Sequence, residues 1–236
     1  MTKRNMLYNL LVIALLAIPF LLIGVKQGRP LLIDEAFAGL LSYVPEAWDP
    51  IFKATTELGD KRGVGVVALL MLGWLLIKRR DFFAMGIFAL AVALGNEVNK
   101  LLKEIIGRER PTLEHLVEVN SLSFPSGHAM VGSILYLLVG YFLMKEYRRP
   151  KQKQLIATVC VILILLIGAS RVILNVHYPT DVLGGYAFGF IWAVSWLFVY
   201  EFIRRKYPLA KNGRRYVMEK NERRQQKTAG WLFFAF

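Results

Sequence analysis

Six apolar runs dominate the chain, and each approaches the length that a lipid bilayer demands. They are Met6–Val25, Gly63–Ile77, Phe82–Leu101, His128–Met144, Leu155–Ser170 and Val182–Ile203. A hydrocarbon core about 30 Å thick is crossed by about 20 residues of α-helix. Backbone groups in lipid must find their partners within the segment, which helices do. The runs therefore predict an all-α fold, a polytopic membrane helix bundle with six transmembrane helices. The second run is short, but Lys61, Arg62, Lys78, Arg79 and Arg80 flank it. Their long side chains reach the interface and relieve the mismatch. A soluble domain of 236 residues would not carry 56% hydrophobic residues and a mean hydropathy of +0.43 in such blocks. Lys3 and Arg4 precede the first run, which has no small-x-small cleavage site and reads as a retained span.

Charge orients the bundle. The net charge is +13, and 10 of the 30 Lys and Arg residues lie between Arg204 and Lys227. In a soluble protein that would point to nucleic acid; behind a membrane domain it points to a basic cytoplasmic tail facing anionic lipid. The short segment 78–81 is KRRD, and 145–154 has five basic residues and one acidic. Segment 102–127 has three basic and four acidic. The positive-inside rule places both termini, 78–81 and 145–154 in the cytoplasm, and 26–62, 102–127 and 171–181 outside. We thus expect one membrane domain over residues 1–205 and a basic tail over 206–236. The closing WLFFAF reads as an interfacial anchor or a remnant added to the chain end. Segment 26–62 is too polar to span, and its three- and four-residue apolar spacing predicts interfacial helices. The lone Cys160 permits no intrachain disulfide.

Three polar groups interrupt the apolar pattern, all on the outward side. The first is KEIIGRERP, residues 103–111. Lys103 and Arg110 are seven apart, two turns of one helix face if the helix continues past Gly107. Two cations there ask for an anion, although snorkelling basic residues at a helix end would read the same. The second is Pro125-Ser126-Gly127-His128, a loop entering a helix. The first N–H groups of such a helix lack intrahelical partners and sit at the positive end of its dipole, which suits an anion. Ser126 would add a hydroxyl and Gly127 an unobstructed backbone N–H; an ordinary Ser-Gly cap is the plainer alternative. The third is SRVILNVHYPTD, Ser170 to Asp181. Arg171 follows the fifth run, and Pro179 suits the first turn of the sixth helix. A carboxylate four residues from a histidine, as Asp181 is from His177, holds one ring nitrogen protonated and aims the other. A structural His–Asp contact is the alternative. No Cys/His metal spacing, Walker loop or dinucleotide glycine pattern is present.

Taken together, Lys103-x6-Arg110-Pro111, Pro125-Ser126-Gly127-His128 and Ser170-Arg171-x5-His177-x3-Asp181 resemble the three-part signature of the type 2 phosphatidic acid phosphatase superfamily. The six-run layout resembles its lipid phosphate phosphatase branch over roughly residues 1–205. The resemblance implies phosphoryl transfer through a phosphohistidine, with no cofactor and no metal. His177 would be the nucleophile, Asp181 its orienting carboxylate and His128 the proton donor. Lys103, Arg110, Ser126, Gly127 and Arg171 would hold the phosphate. It also implies a membrane lipid phosphate as substrate, among them phosphatidylglycerol phosphate, undecaprenyl pyrophosphate or phosphatidic acid, with no nucleic acid partner. A membrane transporter or scaffold that only binds lipid headgroups in the basic pocket is the rival reading. His115 reads as surface or packing. Glu97, beside Asn96 and Asn99, is either functional or paired with Lys100. Gly184, Gly185 and Gly189 suggest close helix packing.

Overall fold

The computed structural model describes residues 3–26, 30–41 and 43–207. Every regular element among them is helical. The chain opens with α1 (Lys3–Val25), then α2 (Leu32–Leu41), a single 3-10 turn (Glu46–Trp48) and α3 (Asp49–Glu57). There follow α4 (Lys61–Trp74), α5 (Phe82–Ile106), α6 (Gly127–Met144), α7 (Pro150–Ile173) and α8 (Pro179–Lys206). Five of these, α1 and α5 to α8, are long and apolar enough to cross a membrane. The remaining run, Gly63–Ile77, forms α4 and continues through a π-helical turn, Leu75–Arg79. The described residues of segment 26–62 hold α2, the 3-10 turn and α3, the short helices its spacing predicted. The basic tail lies outside the described residues beyond Tyr207, as does WLFFAF.

Local chemistry sets the helix limits near the site. Asp81 caps α5, its Oδ1 accepting from Ala84 N at 2.8 Å. At the other end Gly107 takes a left-handed φ of 71° and stops the helix after Ile106. Pro179 opens α8, and Asp181 Oδ2 accepts from Tyr178 N at 2.9 Å across that first turn.

α6 is the axis of the bundle, buried along most of its length among α5, α7 and α8. Lipid provides no hydrophobic drive between helices, so close packing has to hold them. The glycines of α8 provide it. A Cβ on Gly184 would stand 2.5 Å from the Phe124 ring, one on Gly185 2.8 Å from Ser126 O, and one on Gly189 2.6 Å from Met130 O. The start of α8 is thereby pressed against the start of α6, and Ser126 N donates to Asp181 O at 2.9 Å. Outside, α1 packs on α8 and α3 on α7. Ile13, Leu16 and Phe20 of α1 and Leu69 and Leu70 of α4 are exposed, as a lipid-facing surface requires.

Candidate active site

His177 sits in the short loop between α7 and α8 and is 3% exposed. Its Nδ1 lies 3.4 Å from Asp181 Oδ2 and 3.2 Å from Ser123 Oγ, while Nε2 lies 3.3 Å from Arg110 Nη1. A guanidinium has no lone pair to offer, so Nε2 must present its own. The proton then sits on Nδ1, shared between the Asp181 carboxylate and the Ser123 oxygen. Burial drives the pKa of His177 down to about 3, against the raising effect of Asp181. The ring is therefore neutral, with Nε2 as an available nucleophile.

Asp181 is held from every side. Its Oδ2 accepts from the Ser123 hydroxyl and Tyr178 N, and its Oδ1 from Arg108 Nη1 at 2.6 Å. Arg108 also reaches Thr180 Oγ1 at 2.7 Å and, through Nη2, Asp34 Oδ2 at 2.9 Å. Asp34 in turn accepts from Thr180 N at 2.9 Å and Thr180 Oγ1 at 3.0 Å. Asp34, Thr180 and Asp181 are fully buried, and the Tyr178 ring covers the Arg108 guanidinium at 4.0 Å. One cation between two carboxylates, with each remaining oxygen hydrogen-bonded, satisfies what burial of charge demands. The sequence reading missed Asp34, Arg108, Ser123 and Thr180. Arg108, two residues from Arg110 in the first motif, and Thr180, next to Asp181 in the third, each left a signal there; Asp34 and Ser123 left none.

Around Nε2 stand cations and a helix start. Lys103, near the end of α5, donates to the carbonyls of Leu122 and Ser123, fixing the strand of chain that leads into α6. Arg110 does not share a helix face with it, contrary to the seven-residue spacing, because Gly107 ends α5. The loop beyond turns back instead, and Arg110 bonds Val176 O, Ser121 O and Ser121 Oγ with its guanidinium against His177. Arg171, on the last turn of α7, donates from Nη1 to Thr56 Oγ1 at 2.8 Å. Its Nε is buried without a protein partner, and so is Ser126 Oγ. Asn99 supports the same turn: its Nδ2 donates to Pro125 O at 3.2 Å, and its Oδ1 would stand 3.0 Å from a Cβ on Gly127. Gly127 is thus required by the close approach of α5 to α6. His128, one residue on, lies within electrostatic reach of Arg171, His177, Arg110 and Lys103. All three sequence motifs have converged on one volume at one end of the bundle.

Two other polar residues stay outside it. His115 bonds Pro111 O at 3.0 Å, and Glu97 pairs with Lys100 at 2.7 Å on an exposed face.

A helical membrane bundle that aims a neutral, carboxylate-held histidine into a cluster of cations defines a phosphatase of the membrane class. Residues 84–206 match the model of the PAP2 superfamily, and the chain belongs to that superfamily. It is 31% identical over 160 residues to phosphatidylglycerophosphatase B of Bacillus subtilis (strain 168), covering 67% of this chain and 78% of that one. It is 29% identical over 148 residues to decaprenylphosphoryl-5-phosphoribose phosphatase of Mycobacterium tuberculosis, covering 56% of this chain and 74% of the relative. The crystal structure of a transmembrane PAP2 type phosphatidylglycerolphosphate phosphatase from Bacillus subtilis superposes with a TM-score of 0.69 at 28% identity. That match covers 84% of this chain and 98% of the other. Aquifex aeolicus LpxE shares the fold, with a TM-score of 0.57 at 23% identity over 69% of this chain and 93% of the other. The protein is a multi-pass membrane phosphatase.

Proposed function

We propose that the protein hydrolyses a membrane lipid phosphate, a phosphomonoester or pyrophosphate, through a phosphohistidine on His177. The observation that carries this is a His177 Nε2 lone pair that meets Arg110 Nη1 at 3.3 Å, beside two buried, unpartnered donors, Ser126 Oγ and Arg171 Nε. Buried donors without partners are costly, and a phosphate oxygen satisfies both. In the first half-reaction Nε2 attacks phosphorus while Asp181 and Ser123 hold the proton on Nδ1 and stabilise the cation that forms. His128 donates a proton to the leaving oxygen, and in the second half takes one from the attacking water. Lys103, Arg110, Arg171, Ser126 and the Gly127 N–H gather the phosphoryl oxygens, and little else is needed because phosphoryl transfer is mostly positioning and charge stabilisation.

The substrate class follows from the surroundings. A ≈ 740 Å³ groove lined by Ile13 and Phe20 of α1, Leu32 of α2 and Leu183 and Phe190 of α8 is almost wholly apolar. Its lining includes neither His177 nor the cations, and Leu183, two residues beyond Asp181, is the wall residue nearest to them in the chain; a groove there suits a lipid tail that stays in the membrane. The named activities of the relatives, a phosphatidylglycerophosphatase and a decaprenylphosphoryl-5-phosphoribose phosphatase, favour phosphatidylglycerol phosphate and polyprenyl-linked phosphates. Loop charges favour an extracytoplasmic site with both termini inside, residues 1–205 as the phosphatase domain and 206–236 as a cytoplasmic tail. The test is phosphate release by the purified protein from phosphatidylglycerol phosphate, undecaprenyl pyrophosphate and phosphatidic acid. Vanadate is expected to inhibit, and His177→Ala to abolish release. A His177→Ala protein that still releases phosphate would overturn the reading, and one that keeps full biological function would favour headgroup binding alone.

A further inference from the structure

The chemistry above gives His177 a carboxylate and gives His128, its proton donor, none from the three motifs. The structure supplies one from the outer segment. The corner between α3 and α4 lies against His128, with Asp60 Oδ1 3.9 Å from His128 Nε2. Three contacts build this approach. Gly59 is buried, and a Cβ there would stand 2.5 Å from Ile167 Cγ2 and 3.2 Å from His128 Cδ2, so a side chain at 59 would lift the corner off the ring. Tyr136 OH donates to Leu58 O at 3.0 Å and ties the corner to α6, the helix that carries His128. Arg171 Nη1 ties Thr56 to α7.

The charges facing His128 make a carboxylate necessary. Lys103 comes from α5, Arg110 from the loop after it, Arg171 from α7, His177 from the loop beyond and Asp60 from the corner. Three of the five are Lys or Arg, and an imidazolium among their charges is unfavourable without a compensating negative charge. The substrate provides that charge only while bound. In the first half-reaction the N–P bond to His177 forms, the ester P–O bond breaks, and the His128 proton goes to the leaving oxygen. In the second half the water oxygen bonds to phosphorus, the N–P bond breaks, and the water proton returns to His128. His128 must therefore be a cation when the ester bond breaks and is one again once the phosphohistidine is hydrolysed, and a resident carboxylate favours that proton whether or not substrate is bound. The imidazolium has an N–H on each nitrogen, so one can face Asp60 while the other serves the substrate. The Asp60 side chain is 42% exposed, which leaves it in touch with solvent.

We propose that Asp60 is a positioning residue that holds the proton on His128 between turnovers. The proposal rests on the phosphohistidine reading, and the experiment separates the two. Full-length protein in detergent is assayed on lysophosphatidic acid, whose alkoxide needs a proton to leave, and on p-nitrophenyl phosphate, whose phenolate does not. Asp60→Asn is expected to lower kcat on the alkyl ester about tenfold at unchanged KM. The alkaline limb of the pH profile on that ester should move down by roughly one pH unit. On the aryl ester the change should stay small, Asp60→Glu should restore most of the loss, and His128→Ala should show the same split more strongly. The ratio between the two esters does not depend on the fraction of protein folded, and the alkaline limb is read on the alkyl ester alone. Equal losses on both esters with an unmoved alkaline limb would make Asp60 structural and overturn the proposal, as would no loss on either. Persistent activity in His177→Ala would instead remove the reading on which it stands.

Discussion

The two ends of the bundle each bury an aspartate against an arginine, and they do different things with it. At the end opposite His177, Asp81 accepts from Ala84 N and from Tyr200 OH at 2.9 Å and pairs with Arg204. Glu201 accepts from Tyr141 and Lys145, and the Lys145 ammonium lies over the rings of Tyr141 and Tyr200 at 4.9 and 4.7 Å. Arg204 lies over Phe83 at 5.1 Å. Charges here meet opposite charges or aromatic faces around the ends of α5, α6 and α8, although Arg204 Nε is buried without a partner, as Arg171 Nε is at the other end. At the His177 end Asp181 is also neutralised, but by Arg108, which is not among the residues proposed to hold phosphate. Lys103, Arg110 and Arg171 are left facing one volume together with the Ser126 hydroxyl. A buried donor without a partner occurs at both ends, so what suits the His177 end to an anion is three cations and a serine hydroxyl around a histidine whose own carboxylate is already paired with Arg108.

This contrast can be broken first at His177. His177→Ala should cost on the order of 10⁴-fold or more in phosphate release with the fold intact by circular dichroism, since it removes the nucleophile. Asp181→Asn should cost about 10³-fold, because the ring loses the partner that holds its proton on Nδ1. Asp81→Asn is the counterpart at the other end. It should destabilise by roughly 3 kcal/mol, leaving Arg204 buried beside a neutral amide, while kcat per folded molecule stays at the wild-type value. A kcat loss there would mean that the cluster is not merely structural. Ser123→Ala should lower kcat about tenfold at unchanged KM, the cost of one hydrogen bond to a charged group.

The smallest effect is in the pH profile. With its pKa lowered to about 3, His177 keeps its lone pair as pH falls through 6 and 5, so kcat/KM should show no acid limb from this residue until near pH 3 to 4. Stability moves the other way. An unfolded histidine titrates near about 6.5, so between there and about 3 the unfolded chain binds a proton that the folded chain refuses. Thermal midpoints should therefore fall as pH is lowered through that window. An acid limb near pH 6.5 that vanished in a His177 variant would contradict the buried neutral ring.

Much of the fold was legible because lipid imposes a length and a composition that single residues cannot hide. The apolar runs, the stop at Gly107, the start at Pro179 and the packing role of Gly184, Gly185 and Gly189 each have a local cause. The site was legible to the extent that its residues are neighbours in the chain: His177 with Asp181, and Ser126 with Gly127 and His128. Arg110 was placed by type, and its helix face shared with Lys103 held only if the helix ran past Gly107, which a left-handed glycine prevents.

What only the tertiary structure decided are the partners that come from far away in the chain. Asp34 meets Thr180 across 146 residues and Arg108 across 74; Thr56 meets Arg171 across 115. Asp60 belongs with them. Each of these side chains is an ordinary aspartate or threonine in a segment that reads as interfacial helix, and nothing within a few residues of it announces a role. The sequence by itself determined a membrane bundle and the motifs of a phosphatase superfamily, since span length and motif spacing act along the chain. Which carboxylates and hydroxyls complete that chemistry was decided by packing, which brings α2 and the α3–α4 corner down onto the starts of α6 and α8.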